Sequence, residues 1–261
     1  MHIIDIHSHI YPDAIAEKAA ESIREFYQLD GSNMTGTVDM LLQQGGKAGI
    51  SQYLILPVGL KPDHVRHINT FAAEQTAAHE EFIGFGTVHA GMEDLIGEVE
   101  YIQSLGLRGI KMHPDSQMFA IDDPRLFDMY EHIQGKLPLC FHMGDQRYDY
   151  SHPARLRHIL DLFPRLQVIG AHFGGYSMFD TALQLLKDKN CIFDSSSSLM
   201  FMEESEPEKF INAYGAERIA YGSDYPLWDP VVEVERFLKL KLTDDQFEQI
   251  FHKTAETFLN L

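Results

Sequence analysis

Eight apolar runs of strand length recur along the 261 residues of this chain, at 3–9, 52–58, 82–88, 107–113, 137–142, 167–172, 191–195 and 218–224. Between them lie amphipathic stretches at 62–79, 92–104, 124–134, 153–163, 178–187 and 207–214, several opened by a proline, whose missing N–H is harmless in the first helical turn. Runs this apolar leave no wet face, so they read as parallel strands covered by helices. Eight such units in a chain of this length predict an α/β fold, a single (β/α)8 TIM barrel over residues 1–261. A doubly wound open sheet is the alternative, but no Gly-x-Gly-x-x-Gly follows the first strand. Segment 11–50 is longer than one barrel helix requires. It reads as an insertion or lid over the barrel mouth, with an extra helix at 14–28 and a loop through Gly31, Ser32 and Asn33.

Charge narrows the partners. With 21 Lys+Arg against 39 Asp+Glu, the net charge of -18 disfavours nucleic acid and anionic membrane surfaces. No apolar run is long enough to span a bilayer, and the first residues alternate like a strand rather than a leader, so a cytoplasmic location is expected. Cys140 and Cys191 fall inside apolar strands and read as reduced core thiols. Assembly into a homo-oligomer is left open.

In a barrel of this kind the reactive groups gather at the C-terminal ends of the strands. The predicted strands end in His7 and His9, Lys111 and His113, His142, His172, and Asp224. His7 and His9, one residue apart on a strand, share a face and can hold one ion, with Asp5 placed to orient a ligand from behind. His142 and His172 are each followed within two residues by glycine, as a tight turn or a close backbone approach requires. The histidines at 64, 67, 79, 132, 152, 158 and 252 fall in helices or loops and read as solvated or capping groups. Arg147, just beyond His142, is a candidate anion clamp, with a surface salt bridge as the plain alternative. Tyr11, Met34, Phe173 and Trp228 are candidates for an apolar wall, and the serines at 195–198 read as a loop.

The ordered set Asp5-Ile6-His7-Ser8-His9, Gly109-Ile110-Lys111-Met112-His113-Pro114, His142-Met143-Gly144, Ala171-His172-Phe173-Gly174-Gly175 and Tyr221-Gly222-Ser223-Asp224-Tyr225-Pro226 resembles the amidohydrolase superfamily, specifically its amidohydrolase-related family 2 branch. The related TatD-type nucleases carry a metal-bridging Glu at the fourth strand, where this chain has Lys111 and His113. The resemblance implies that His7, His9, His142 and Asp224 hold one divalent metal ion, with His172 and Asp224 moving protons. Three imidazoles and a carboxylate suit Zn2+, with Mn2+, Co2+ or Fe2+ as alternatives. Lys111 is read as a free cation for a substrate carboxylate rather than a carboxylated bridge to a second metal, and His113 as a substrate contact. The implied activity is a metal-dependent hydrolase whose activated water attacks a C–N or C–O acyl bond of a small, anionic substrate. The alternatives are a lyase of the same branch, a non-oxidative decarboxylase or hydratase, and a non-catalytic metal-binding barrel.

Overall fold

The apolar runs pair edge to edge as short parallel strands in the computed structural model, which describes residues 2–29 and 32–261. The expected loop position Gly31 lies outside the described residues. The strands are β1 (Ile4–Ser8), β2 (Gln52–Ile55), β3 (Phe82–Gly84), β4 (Gly86–Thr87), β5 (Ile110–Met112), β6 (Leu139–Phe141), β7 (Val168–Gly170), β8 (Ile192–Asp194) and β9 (Ile219–Ala220). They are ordered β1-β2-β3 and β4-β5-β6-β7-β8-β9, neighbours in sequence being neighbours in space. β3 and β4 are one expected strand interrupted at Phe85. There the Phe85 N–H bonds Ile55 O at 3.0 Å, and Gly86 N–H reaches across to Gly109 O at 2.8 Å. The last strand returns to the first: Ile6 N–H bonds Tyr221 O (2.9 Å), Asp224 N–H bonds His7 O (2.8 Å), and His9 N–H bonds Tyr225 O (2.8 Å). The result is the (β/α)8 barrel, its third strand in two pieces.

Ladder bonds stop earlier than the apolar runs do. His9, His113, His142, His172 and Asp224, expected as strand ends, lie just past the last paired residues, in the loops. Two of these loop residues sit at positive φ, His172 at 59° and Asp224 at 62°, a region sparsely used by side-chain-bearing residues and often found at working sites. Glycine is needed beside them. A Cβ on Gly222 would lie 2.9 Å from the His7 Cβ, and one on Gly144, at φ 70°, would lie 2.3 Å from the Gly175 Cα.

Helices α1 (Asp13–Tyr27) and α2 (Val38–Ala48) both fall between β1 and β2. Thr37 caps α2 by accepting from Met40 N–H, and Gly49, at φ 80°, ends it. α2 packs against α10 (Pro230–Phe237) as an ordinary barrel helix. α3 (Pro62–Ala78), α4 (Leu95–Ser104), α5 (Pro114–Gln117), α6 (Phe127–Ile133), α7 (Pro153–Leu162), α8 (Phe179–Leu186) and α9 (Glu206–Tyr214) follow the inner strands, and α11 (Asp244–Glu248) and α12 (Thr254–Leu259) end the chain. Alternating strand residues fill two cores. Ile110, Met112, Phe141, Val168 and Phe193 join the helices, while Ile4, Leu54, Phe85, Cys140, Ile169 and Ala220 pack with Ala255 and Leu259 of α12. Both cysteines are buried and unbridged.

Candidate metal centre and cavity

His7 and His9 enter the site with their ring nitrogens already sorted. His9 Nδ1–H donates to Leu56 O at 2.5 Å, and His7 Nδ1–H donates to Asp194 Oδ2 at 2.8 Å. Both Nε2 lone pairs are thereby left for a ligand role, and both face Asp224 Oδ1, at 3.5 Å from His7 and 3.3 Å from His9. Burial pushes Asp224 up, but His7, His9 and His172 outweigh it and hold the carboxyl well below its usual range. Burial, reinforced by Lys111, lowers His7 to about 4, so it is a neutral donor at physiological pH. Ser197 supports the carboxylate by donating its hydroxyl to Asp224 Oδ2, and accepts the Trp228 indole N–H at 2.8 Å.

The orienting carboxylate is not the expected one. Asp5 accepts from His7 N–H (3.0 Å), Ser8 Oγ (2.9 Å) and Ser223 N–H (2.9 Å), and touches no imidazole. The register of β1 against β2 shifts between Asp5 and Ser8, which turns Asp5 from the ligand face and makes it a clasp between the first and last strands. Asp194, at the end of β8, does the orienting. Besides His7 Nδ1 it accepts the backbone N–H of His172 (2.9 Å) and of Ser196 (3.1 Å), and although burial opposes its ionisation, His7 and His172 hold it down at about 2. Ser196 Oγ in turn lies 2.9 Å from His172 Nδ1. All four serines at 195–198 are buried, and Ser196 and Ser197 support the site directly rather than forming a plain loop.

His7, His9 and Asp224 bring one donor atom each within 4.8 Å of the others, and their chemistry suits a divalent ion. His142 adds no atom to that trio. Its Nδ1 lies 3.0 Å from His172 Nε2, and its Nε2 is buried without a hydrogen-bond partner, 3.6 Å from Asp115 Oδ2. Burial, the stacked His113 ring at 3.9 Å and His172 lower His142 well below the usual imidazole value. Burial also lowers His172, against the pull of Asp224 and Asp194, and raises Asp115 to about 7 despite two hydrogen bonds from Ser151.

A cavity of about 350 Å3 opens over this centre and takes in His7, His9, Lys111, His113, His142, His172 and Asp224. Much of its remaining wall is apolar or aromatic. Val58, Leu60 and Leu227 come from strand-end loops, and Ile23, Phe26 and Tyr27 from α1. Tyr11 lines the cavity, whereas Met34, Phe173 and Trp228 do not. Lys111 is 0% exposed, with Nζ 3.3 Å from His7 Nε2 and 3.7 Å from Cys140 Sγ, and it forms no ion pair among the described residues. Arg147, expected as an anion clamp, stays outside the cavity lining: its guanidinium is bidentate to Asp145 (3.0 and 2.6 Å) and donates to Phe26 O (2.6 Å). Tyr27 was not singled out in the sequence, since a helical tyrosine 86 residues from His113 carries no local sign of the 2.7 Å contact between its Oη and His113 Nε2.

Comparison with curated proteins returns no match. Among solved structures, an uncharacterized TIM-barrel protein from Bordetella bronchiseptica superposes with a TM-score of 0.81 at 20% identity, covering 100% of this chain and 99% of that one. A 2,6-dihydroxybenzoate decarboxylase complexed with 2,6-dihydroxybenzoate gives 0.79 at 16% identity, with 100% of both chains covered. A dihydroxybenzoic acid decarboxylase from Polaromonas sp. JS666, with bound manganese and 2-nitroresorcinol, gives 0.76 at 16%, covering 100% and 97%. A family model described as Amidohydrolase matches residues 4–261, essentially the whole barrel with every strand-end residue just described, and the chain belongs to that amidohydrolase family.

Proposed function

We propose that this protein is a metal-dependent enzyme that removes the carboxylate of a small aromatic acid without oxidation. The observation that carries the reading is Lys111, a cation sealed from water beside the ligand trio with no anion of its own. An unpaired buried ammonium is costly, and a second positive centre at His7 and Asp224 raises that cost unless an anion lies between them. A substrate carboxylate fits that need, and the aromatic and apolar wall fits a flat ring behind it. Two of the solved relatives are named for dihydroxybenzoate decarboxylation, which agrees with this choice among the reactions that the sequence leaves open.

His7, His9 and Asp224 hold the divalent ion in this reading, with His142 as the fourth ligand. When bound, the ion supplies Lewis acidity towards the substrate's oxygens. Zn2+ suits the donor set, and the Polaromonas relative is named with manganese, which makes both ions candidates for the site. Lys111 pairs with the departing carboxylate, and α1 closes the mouth so that bulk water is kept from the ring. His172, whose Nδ1–H is anchored on Ser196 O at 3.0 Å, lines the cavity as the proton carrier: its Nε2 takes a proton from solvent before the mouth closes, gives it to the ring carbon and returns to the neutral form. As the bond between ring carbon and carboxylate breaks, its electron pair stays on the ring carbon. That carbon takes the proton, and carbon dioxide leaves.

Hydrolysis by the same centre is the second reading, favoured by the His172–His142 contact, which offers a relay towards a leaving group. A product assay separates the two. Metal-loaded protein is expected to release carbon dioxide from a panel of 2-hydroxybenzoates and to leave amides and lactones intact; turnover of the amides or lactones alone would overturn decarboxylation. His172→Ala is expected to keep its metal and lose at least about 100-fold in rate.

A further inference from the structure

We propose that Tyr27, carried into the cavity by α1, donates a hydrogen bond to the bound acid, and that Arg147 is the residue that positions it. The proposal rests on the reading of the cavity as a site for a small aromatic acid. Tyr27 Oη lies 2.7 Å from His113 Nε2 and 3.3 Å from His142 Nδ1. The direction of the shorter bond follows from the other face of the His113 ring. His113 Nδ1 accepts the Ser116 N–H at 3.3 Å as it caps α5, so the ring hydrogen is on Nε2, and Nε2–H donates to the phenol oxygen.

Tyr27 thus accepts from His113 and keeps its own hydrogen to give. His142 does not take it. His172 donates from Nδ1 to Ser196 O, so its Nε2 accepts the Nδ1–H of His142, which leaves that nitrogen no lone pair for Tyr27. A metal ion on either His142 nitrogen leads to the same end, because a coordinated nitrogen and a hydrogen-bearing one are equally closed to a donor. The phenol hydrogen is uncommitted at the wall of a cavity that already holds Lys111, and an anionic oxygen of the substrate is the acceptor such a donor fits.

Arg147 sets where that donor stands. It ties the C-terminal end of α1 to the loop after β6, with Nη1 on Phe26 O at 2.6 Å and two donors on buried Asp145. Its guanidinium carbon lies 5.0 Å from the Phe26 ring centroid and 5.5 Å from that of Tyr27. Removing this tie frees the last turn of α1 and with it the phenol.

Calorimetric titration of manganese-loaded protein with 2,6-dihydroxybenzoate tests both parts. Tyr27→Phe, which keeps the ring, is expected to weaken binding about tenfold, as loss of a hydrogen bond to a charged group does. Arg147→Met is expected to weaken it by a similar factor in the native background and by less than about threefold in the Tyr27→Phe background, since both act through one donor. Native affinity in Tyr27→Phe would overturn the proposal while leaving the cavity reading intact, and losses that multiply in the double variant would overturn the positioning role of Arg147. A native protein that holds manganese and binds none of the acid would overturn the cavity reading itself, and this proposal with it.

Discussion

Lys111 sits where an ammonium is least at ease, fully buried, 3.3 Å from an imidazole nitrogen and without a carboxylate partner among the described residues. A group so placed costs stability unless an anion pairs with it. Lys111→Met is therefore expected to raise the stability of the metal-free protein, on the order of 1–3 kcal/mol, while abolishing binding of an aromatic acid. Chemical denaturation and ligand titration on the same variant check the two halves together, and a destabilised variant that still binds acid would contradict the assigned role. At this scale the sequence was legible where chemistry and strand position coincide. His7, His9 and Asp224 converge as their types suggest, and Lys111 and His113 line the cavity. Asp194 was hidden because its value depends on β8 lying beside β7 and on a ring contributed 187 residues earlier. Asp5 misled because strand alternation alone does not reveal a register shift inside a five-residue strand.

Among the elements, α10 combines a sound cap with an uneasy buried charge. Asp229 caps it by accepting from Val231 N–H at 2.9 Å, and Glu233 packs inward at 6% exposure. Burial raises Glu233 to about 7, against the opposing charge of Arg236, whose Nε lies 3.3 Å from Oε1. The folded value is above the unfolded one, so the native state binds more protons between pH 4.5 and about 7, and stability falls as pH rises through that window. Glu233→Gln lacks the ionisation. Relative to the native protein it is expected to gain about 3 kcal/mol between pH 4.5 and pH 8, read from urea midpoints at the two pH values. An unchanged difference would show that the carboxyl ionises as freely folded as unfolded. Element identity was readable because apolar runs and proline-opened helices alternate. Element ends were not, because apolar character continues past the last ladder bond into the loops that carry His113, His142 and His172. The helix expected at 14–28 is found at Asp13–Tyr27, but only its tertiary setting places Phe26 and Tyr27 over the strand ends.

For the molecule as a whole, closing eight strands into a ring brings the two ends of the candidate ligand set together. His7 and Asp224, 217 residues apart in sequence, are joined by a backbone bond from Asp224 N–H to His7 O, so the ring's closure and the centre's assembly are one event. The chain carries -18 overall, yet Lys111 in the cavity wall forms no ion pair among the described residues. One competing arrangement is the neighbouring group of His113, Asp115 and His142, which also brings three donor atoms within 4.8 Å. A crystal structure of the metal-loaded protein with anomalous scattering at the metal edge decides between them. One ion touching His7, His9, His142 and Asp224, with Lys111 facing the open side, is the expected result; an ion held by His113, Asp115 and His142, with His7 and His9 left free, would contradict the proposed centre.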